Sequence, residues 1–173
     1  MSSFNKILIR EVIESAKERP QIYYTPRAAL ECIGSWVPAG LRIWEPACGQ
    51  GHIAGFFKER GHDVVATDLD TGSDFLTCVP PEYDILITNP PFKLRKQFLQ
   101  RAHKLGRPYM LLLPLNTLDR VFYREWAKGK DVRIFCPRKK IDYIRPDGKK
   151  SNCLFYSAWF THDVAGIDML HFE

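Results

Sequence analysis

The tetrapeptide Asn89-Pro90-Pro91-Phe92 combines residue types that can hold an amino group. It follows a short apolar segment, residues 83–88, that is typical of a buried strand in a parallel sheet. Two consecutive prolines cannot donate ladder hydrogen bonds, so the strand must end there in a stiff turn. The Asn89 amide oxygen and a main-chain carbonyl can both accept from one amino group, and an exposed Phe92 ring can stack on a flat heterocycle. The turn therefore predicts a site for a planar group that carries an exocyclic NH2.

A glycine-containing loop lies between two further predicted strands. The first strand ends at Glu45, the loop contains Gly49 and Gly51, and the next strand ends at Asp68, nineteen residues after Gly49. A carboxylate in that position binds ribose hydroxyls in nucleotide-binding α/β folds, and glycines let a ligand approach the backbone closely. The Glu45 carboxylate would repel a pyrophosphate, so the loop favours a ligand that carries an amino or sulfonium group.

Segments of strand length alternate with segments of helical period along the chain. Predicted strands cover residues 41–45, 63–67, 83–88, 109–113, 132–136 and 154–161. Predicted helices cover residues 6–19 within an N-terminal segment 1–22, then 26–36 with Thr25 as N-cap, 52–60, 93–105 and 118–128. The alternation predicts an α/β fold, a single Rossmann-like domain over residues 1–173 with a mostly parallel twisted sheet, helices on both faces and an antiparallel strand at one edge.

Composition argues against several classes of protein. No apolar segment approaches the roughly 18 residues of a membrane span, and the first residues lack the apolar core of a signal peptide. The five cysteines are odd in number and scattered, without a Cys-x-x-Cys pair. This pattern indicates reduced thiols in a cytoplasmic protein and argues against a metal site such as a zinc site. The lack of an apolar span argues against a membrane partner.

The net charge of +5 conceals a strong asymmetry. Residues 93–150 contain 17 Lys and Arg against 5 Asp and Glu, a net of +12, whereas the remainder contains 8 against 15, a net of −7. The basic block begins directly after the Asn-Pro-Pro-Phe turn, and Pro146-Asp147-Gly148 predicts a turn within a basic loop or hairpin at residues 137–152. A polyanion is the expected partner of this block. The candidate contacts are Lys93, Arg138, Lys139, Lys140, Tyr143, Arg145 and Lys149.

Five motifs occur in the order seen in class I S-adenosylmethionine (SAM) dependent methyltransferases. They are Tyr24-Thr25-Pro26, Glu45-Pro46-Ala47-Cys48-Gly49-Gln50-Gly51, Asp68, Asp74-Phe75-Leu76 and Asn89-Pro90-Pro91-Phe92. The chain most resembles the group that methylates adenine N6, in the small form found in bacteriophages and prophages. The resemblance covers residues 23–160, most of the chain.

The resemblance implies SAM as cofactor and assigns residues to each part of it. Tyr24, Thr25 and Pro26 close over the methionine part, which also faces Glu45 and the backbone of Ala47, Cys48, Gly49 and Gly51. Asp68 holds the ribose hydroxyls, Leu69 packs on the cofactor's adenine, and Asp74 accepts a hydrogen bond from that adenine's amino group with Phe75 beside it.

The resemblance also implies how the methyl group is transferred. Asn89 and the Pro90 carbonyl grip the target amino group, in a corner stiffened by Pro91, and Phe92 stacks on the target adenine. The two acceptors favour a tetrahedral nitrogen with a more available lone pair, so that direct in-line transfer needs positioning and electrostatics but no covalent enzyme intermediate. A base within a duplex must flip out, or come from a single strand.

Two features depart from the family pattern, and the substrate stays open. Phe92 stands where many relatives have Tyr, and the chain has no obvious separate target-recognition domain. Target choice is then expected to come from the basic loop at residues 138–150 or from a partner subunit, or to be loose. The assembly stays open between a partner subunit and a homodimer. Phe135, Tyr143 or Phe155 could supply a second stacking face. DNA is the expected substrate. The alternatives are an RNA adenine, a protein glutamine side chain, a small molecule, or a non-catalytic subunit that binds SAM or nucleic acid.

Overall fold

Helices and strands alternate in the computed structural model, which describes residues 23–151 and 153–173. Its helices are α1 (Arg27–Gly34), α2 (His52–Lys58), α3 (Arg95–Lys104) and α4 (Val121–Trp126). Its strands are β1 (Arg42–Glu45), β2 (Asp63–Ala66), β3 (Ile85–Thr88), β4 (Tyr109–Pro114), β5 (Arg133–Cys136), β6 (Ser157–His162) and β7 (Leu170–Phe172). The helix predicted at residues 6–19 lies outside the described residues.

The seven strands of the described chain form one sheet in the order β2-β1-β3-β4-β6-β5-β7. Neighbours pair in parallel except β6, which is antiparallel to both β4 and β5. The predicted fold class, including the antiparallel pair formed by the last two predicted strands, is confirmed. Strand β7 was not predicted, because a segment of three largely exposed residues is too short to show a periodic pattern.

Both faces of the sheet are buried. Side chains of α1 and α2, such as Leu30 and Phe57, pack on one face with Ile43 and Ile87 of the strands. Helices α3 and α4 cover the other face, on which Leu111 lies. A strand covered on both faces must be apolar throughout, which explains the uninterrupted apolar segments that the sequence shows.

Helix α1 begins one residue later than predicted. Its N-cap is Pro26, with an extended backbone and no side-chain cap, so the prediction of Thr25 as N-cap is wrong. Thr25 is instead buried, and its carbonyl lies 3.2 Å from Nδ1 of His52 at the start of α2. The Thr25 backbone therefore joins the starts of two helices.

Parallel pairing brings several loops to the same edge of the sheet. Strands β1 to β4 are parallel, and β5 runs in the same direction because both β4 and β5 are antiparallel to β6. The loops that follow these five strands therefore meet at the carboxyl edge, where open α/β sheets bind ligands. Every helix within the described ranges is too short or too polar to cross a lipid bilayer.

An open cleft of about 430 Å³ lies at the opposite edge, near the amino ends of the strands. Arg42 in its wall pairs with Asp63 at 2.7 Å and with Glu82 at 3.2 Å. Two of the acidic side chains at this cleft are therefore already neutralised by Arg42. The candidate site is at the carboxyl edge.

Candidate active site

The Asn89 side chain is held in one orientation at the end of β3. Its Nδ2 donates a hydrogen bond of 2.8 Å to the Tyr23 carbonyl, and its buried Oδ1 accepts a hydrogen bond from none of the described residues. A buried acceptor without a donor costs about 1–3 kcal/mol. The arrangement therefore leaves Oδ1 to accept from a ligand, as the sequence predicts. Tyr23 was not singled out from the sequence, since its contact with Asn89 spans 66 residues and uses only the backbone.

The two prolines lead the chain from β3 into a 3₁₀ turn, Phe92–Leu94. The Pro91 carbonyl accepts from the Leu94 amide at 2.8 Å, and the Phe92 carbonyl accepts from Arg95 Nη1 at 2.8 Å. Within residues 23–151 and 153–173, no group donates a hydrogen bond to the Pro90 carbonyl. The corner thus offers the two acceptors that the sequence predicts, Asn89 Oδ1 and the carbonyl of buried Pro90.

The expectation of an exposed Phe92 ring is wrong. The side chain is only 6% exposed, and its ring centroid lies 5.4 Å from Tyr23, 5.6 Å from Tyr143 and 5.5 Å from Phe155. These separations are direct aromatic contacts, so no planar base fits between Phe92 and Tyr23 in this conformation. The 3₁₀ turn directs the ring into the core, which the sequence of the turn does not reveal.

Tyr143 also departs from its expected place among the substrate contacts. Its side chain is fully buried, with its ring 5.3 Å from that of Tyr23. Its ring packs in an aromatic cluster with the rings of Tyr23, Phe92 and Phe155, and is not exposed beside the basic side chains. Of the other rings considered for a second stacking face, Phe155 lies in this cluster, whereas Phe135 is buried elsewhere against Trp36.

The loops after β1 and β2 are joined by hydrogen bonds. The Gly49 amide donates to Asp68 Oδ2 at 2.8 Å, and the Cys48 amide donates to the Thr67 carbonyl at 3.1 Å. Gly49 has a φ of 48°, a left-handed conformation that disfavours side chains. The other carboxylate oxygen of Asp68 accepts from the Asp70 amide at 3.0 Å. The predicted glycine loop and the predicted acid therefore form one surface, next to the Leu69 side chain, which is 69% exposed.

Glu45 is a buried carboxyl group at the base of this loop. It is 2% exposed, and its Oε2 accepts from the Ala54 amide of α2 at 2.7 Å. Burial, aided by the nearby Asp68 charge, raises the pKa of Glu45 to about 8, against the opposing effects of the Ala54 hydrogen bond and Lys58. A cationic ligand would favour the charged carboxylate, which fits the expected sulfonium and amino groups.

The pKa of Glu45 predicts a pH-dependent difference between the wild type and Glu45→Gln. A folded-state pKa of about 8, above the ordinary value of 4.5, means that only the folded protein keeps this proton between those values. The stability that Glu45 contributes is complete below about pH 4.5 and is lost as the pH rises towards 8. Without ligand, the free energy of unfolding of the wild type should fall relative to Glu45→Gln by at most about 1.4 kcal/mol per pH unit.

Denaturant unfolding between pH 5 and pH 8 measures this difference. Glu125→Gln, which changes an exposed carboxylate, is the control and should keep a constant offset from the wild type. Parallel stability curves for wild type and Glu45→Gln would show that the buried carboxyl is ionised throughout.

The Tyr24 ring lies next to the glycine loop, as the resemblance implies. Its Cε1 would be 3.8 Å from a Cβ atom at Gly49, and the ring packs against His52 at 5.2 Å. The Tyr24 backbone pairs with Ile144 through hydrogen bonds of 2.9 and 3.0 Å, so the basic hairpin is attached to the same surface. Pro26 is half-buried, and Gly51, with a φ of 75°, ends the loop at the start of α2. Neither His52 nor Ile144 has a sequence signal that could have identified it.

Asp74 and Phe75 face different surroundings. The Asp74 carboxylate accepts from the Leu76 amide at 2.9 Å and from Thr77 Oγ1 at 3.3 Å, so it stabilises its own turn. Phe75 is 2% exposed, with its ring 4.6 Å from Phe98 in the core. The expectation that the Phe75 side chain lies beside the cofactor is therefore not met, because the ring fills space under α3. Ala47 and Cys48 are half-buried in the loop.

The basic hairpin and the end of β5 place exposed cations at the carboxyl edge. The hairpin, residues 143–151, is closed by hydrogen bonds from the Arg145 amide to the Lys149 carbonyl at 2.9 Å and from the Ser151 amide to the Tyr143 carbonyl at 2.8 Å. Arg145 pairs with Asp147 at 2.6 Å. The predicted basic contacts that are exposed at this edge are Lys93, Arg138, Lys139, Lys140, Arg145 and Lys149.

Comparisons with known proteins identify the fold. No family model matches the chain, and no curated protein matches its sequence. A modification subunit of a putative type I restriction enzyme from Vibrio vulnificus aligns at 16% identity with a TM-score of 0.54, over 91% of this chain. The chain spans 47% of the length of that subunit.

Two other solved structures match nearly their whole length. A putative RNA methyltransferase from Pyrococcus horikoshii aligns at 18% identity with a TM-score of 0.57, over 82% of this chain and 86% of its own. A TehB-like SAM-dependent methyltransferase from Corynebacterium glutamicum aligns at 17% identity with a TM-score of 0.51, over 91% of this chain and 95% of its own. At these identities the likeness concerns the fold alone. The chain has the Rossmann-like α/β fold of these solved methyltransferases.

Proposed function

We propose that this protein transfers a methyl group from SAM to the exocyclic N6 amino group of adenine in DNA. One observation carries the proposal: the Asn89 amide is anchored through Nδ2, while its Oδ1 is buried and unpartnered in a proline corner. A group that donates hydrogen bonds and lies flat against this corner would complete it. The exocyclic amino group of adenine has that chemistry.

The residues at the carboxyl edge fit the cofactor. Asp68 has carboxylate lone pairs left for ribose hydroxyls after its two backbone contacts, and the exposed Leu69 offers an apolar surface to adenine. The buried Glu45 carboxyl suits a cationic methionine part, next to a loop whose glycines admit a ligand to the backbone. When bound, SAM supplies an electrophilic methyl group on a sulfonium.

The corner would act on the nitrogen that receives the methyl group. Its lone pair is delocalised into the adenine ring, which makes the amino group a poor nucleophile. Acceptance of its two hydrogens by Asn89 Oδ1 and the Pro90 carbonyl would localise the lone pair and aim it, which is electrostatic and positional catalysis. Stacking of a target base on Phe92 would require the Tyr23 ring to move, since the two rings are in contact.

The charge distribution supports a nucleic acid over a protein or a small molecule. Cations from the hairpin, from the end of β5 and from Lys93 are exposed at the carboxyl edge, where the cofactor would bind. The similar structures include both a restriction-modification subunit and a putative RNA methyltransferase. DNA is our proposal and RNA is an outcome that the test must be able to show.

The test is incubation with SAM labelled in its methyl group and with single-stranded DNA, duplex DNA or RNA, followed by digestion to nucleosides. The expected product is N6-methyl-2′-deoxyadenosine. If only RNA becomes labelled, the substrate is RNA and not DNA. If the protein binds SAM and DNA but no nucleic acid becomes labelled, the result would contradict the proposed methyltransferase activity and support a non-catalytic subunit.

The exposed cations that follow β5 predict a salt-dependent affinity for DNA. Lys139→Gln with Lys140→Gln should weaken binding of a duplex oligonucleotide and reduce the slope of log affinity against log salt by about 0.9 for each phosphate that is no longer neutralised. Fluorescence anisotropy at about 50–200 mM salt measures both quantities. The control is Lys104→Gln with Lys128→Gln, two lysines that end α3 and follow α4 at the amino edge. Equal losses of affinity for both pairs would mean that the carboxyl edge is not the binding face.

A further inference from the structure

A second group of cations lies beside the Asn89 corner and comes from two adjacent loops. Arg95 is the first residue of α3, seven residues after β3 ends, and Arg120 is the N-cap of α4, six residues after β4 ends. Strands β3 and β4 are parallel neighbours, so both loops emerge side by side at the carboxyl edge. The Lys96 ammonium lies 6.0 Å from the Phe122 ring centroid, which confirms that the first turns of the two helices are close.

Within the part of the chain that the structure describes, these cations lack compensating anions. No ion pair of the described chain involves Arg95, Lys96 or Arg120. The first turns of α3 and α4 contain no acidic residue. The nearest carboxylate in sequence is that of Asp119, and it forms no ion pair with any of these three cations. Positive charge at two helix starts is unfavourable, since the helix dipole is positive there.

Arg95 shows the excess of positive charge most clearly. The side chain is half-buried, Nη1 donates to the Phe92 carbonyl at 2.8 Å, and Nε is buried without a partner. Burial and the neighbouring Arg120 both lower the pKa of Arg95. A guanidinium that is partly removed from water and faces a second guanidinium is stabilised by an anion that can bridge the two.

We propose that Arg95 and Arg120, with Lys96, form a subsite for one phosphate group of the nucleic-acid strand, adjacent to the target nucleotide. The inference rests on the proposed function, because it takes the ligand at the corner to be a nucleotide within a strand. Arg95 is bonded to the carbonyl of Phe92, in the same turn as Asn89. A phosphate held there would therefore fix the strand in register with the acceptor corner.

The test measures the coupling between one side chain and one phosphate. The ligands are single-stranded dT oligonucleotides that contain one dA. In each oligonucleotide, one phosphate near the dA is replaced by a neutral methylphosphonate. Fluorescence anisotropy in the presence of S-adenosylhomocysteine measures the affinity of the protein for each oligonucleotide. One replacement next to the dA should weaken wild-type binding about tenfold. The same replacement should have little effect on Arg120→Gln, whose affinity for the unmodified strand is already about tenfold lower. Because Arg95 also holds the Phe92 carbonyl, Arg120→Gln, at an exposed position, is the decisive variant.

Arg107→Gln at the amino edge is the matched control and should behave like the wild type. The subsite is refuted if Arg120→Gln binds like Arg107→Gln, or if it remains as sensitive as the wild type to the methylphosphonate. Methyl transfer by the wild type without any such coupling would refute the subsite and leave the proposed function intact. If Arg120→Gln loses the sensitivity to the methylphosphonate but the wild type transfers no methyl group, the result would support the subsite and refute the enzymatic function.

Discussion

Replacement of Asn89 by alanine is expected to lower the rate of methyl transfer to adenine by at least about a hundredfold, the range found when one preorganised hydrogen-bond partner is removed from an active site. The variant loses Oδ1, the buried unpartnered acceptor, together with the bond from Nδ2 to the Tyr23 carbonyl. The affinity for S-adenosylhomocysteine should change little, since the side chain is assigned to the target amino group. Single-turnover rates and calorimetric binding of S-adenosylhomocysteine measure the two quantities separately.

Two further variants test whether the loss of rate is specific to the Asn89 amide. Asn116→Ala, at an exposed position in the 3₁₀ turn after β4, should keep the wild-type rate. Asn89→Asp retains an acceptor but places a carboxylate oxygen against the Tyr23 carbonyl, so it should be about as slow as Asn89→Ala. A rate within a few-fold of the wild type for Asn89→Ala would remove the central support of the proposed function.

Replacement of Asp68 by alanine is expected to weaken binding of SAM and of S-adenosylhomocysteine by at least about a hundredfold. Hydrogen bonds to charged groups contribute about 1.5–3 kcal/mol each, and two ribose hydroxyls would lose their acceptor. The variant also releases the Gly49 amide, whose bond of 2.8 Å to Asp68 joins the two loops. Isothermal titration calorimetry with each ligand measures the loss.

Asp70→Ala is the matched control for this prediction. Asp70 is an exposed carboxylate two residues away, and its contact with Asp68 uses its backbone amide. Its removal should leave the dissociation constant within about twofold, as is usual for exposed surface changes. If Asp68→Ala and Asp70→Ala bind the ligand equally well, Asp68 cannot be the ribose-binding acid.

Both predictions depend on the same property of parallel sheets. The residues that they change follow different strands and come together because those strands are parallel neighbours of β1. Asn89 follows β3, and Asp68 follows β2 with the glycine loop of β1 beside it. Two different functions, acceptance of an amino group and recognition of a ribose, can therefore be tested by independent substitutions.

The fold class and the residue types of the candidate site could be predicted from the amino-acid sequence alone. Strand β4 is recognisable because a strand covered on both faces must be apolar at every position, and the prolines after Asn89 end β3 because they cannot donate to the ladder. Gly49 and Asp68 were identified for a similar reason. A left-handed loop and a strand-end carboxylate are local requirements, and local requirements leave a signal in the residue types.

Which of these groups are accessible, and what holds them, depends on how the chain packs in three dimensions. The Phe92 and Tyr143 rings, expected at the surface, are buried against each other because the 3₁₀ turn and the hairpin pack face to face. The anchor of Asn89 is a backbone carbonyl 66 residues away, and the proximity of Arg95 to Arg120 depends on the order of two strands. Such contacts join positions far apart in the chain through groups that every residue shares or through charges common on any surface. Because no residue type specifies such contacts, they can be read only from the folded arrangement.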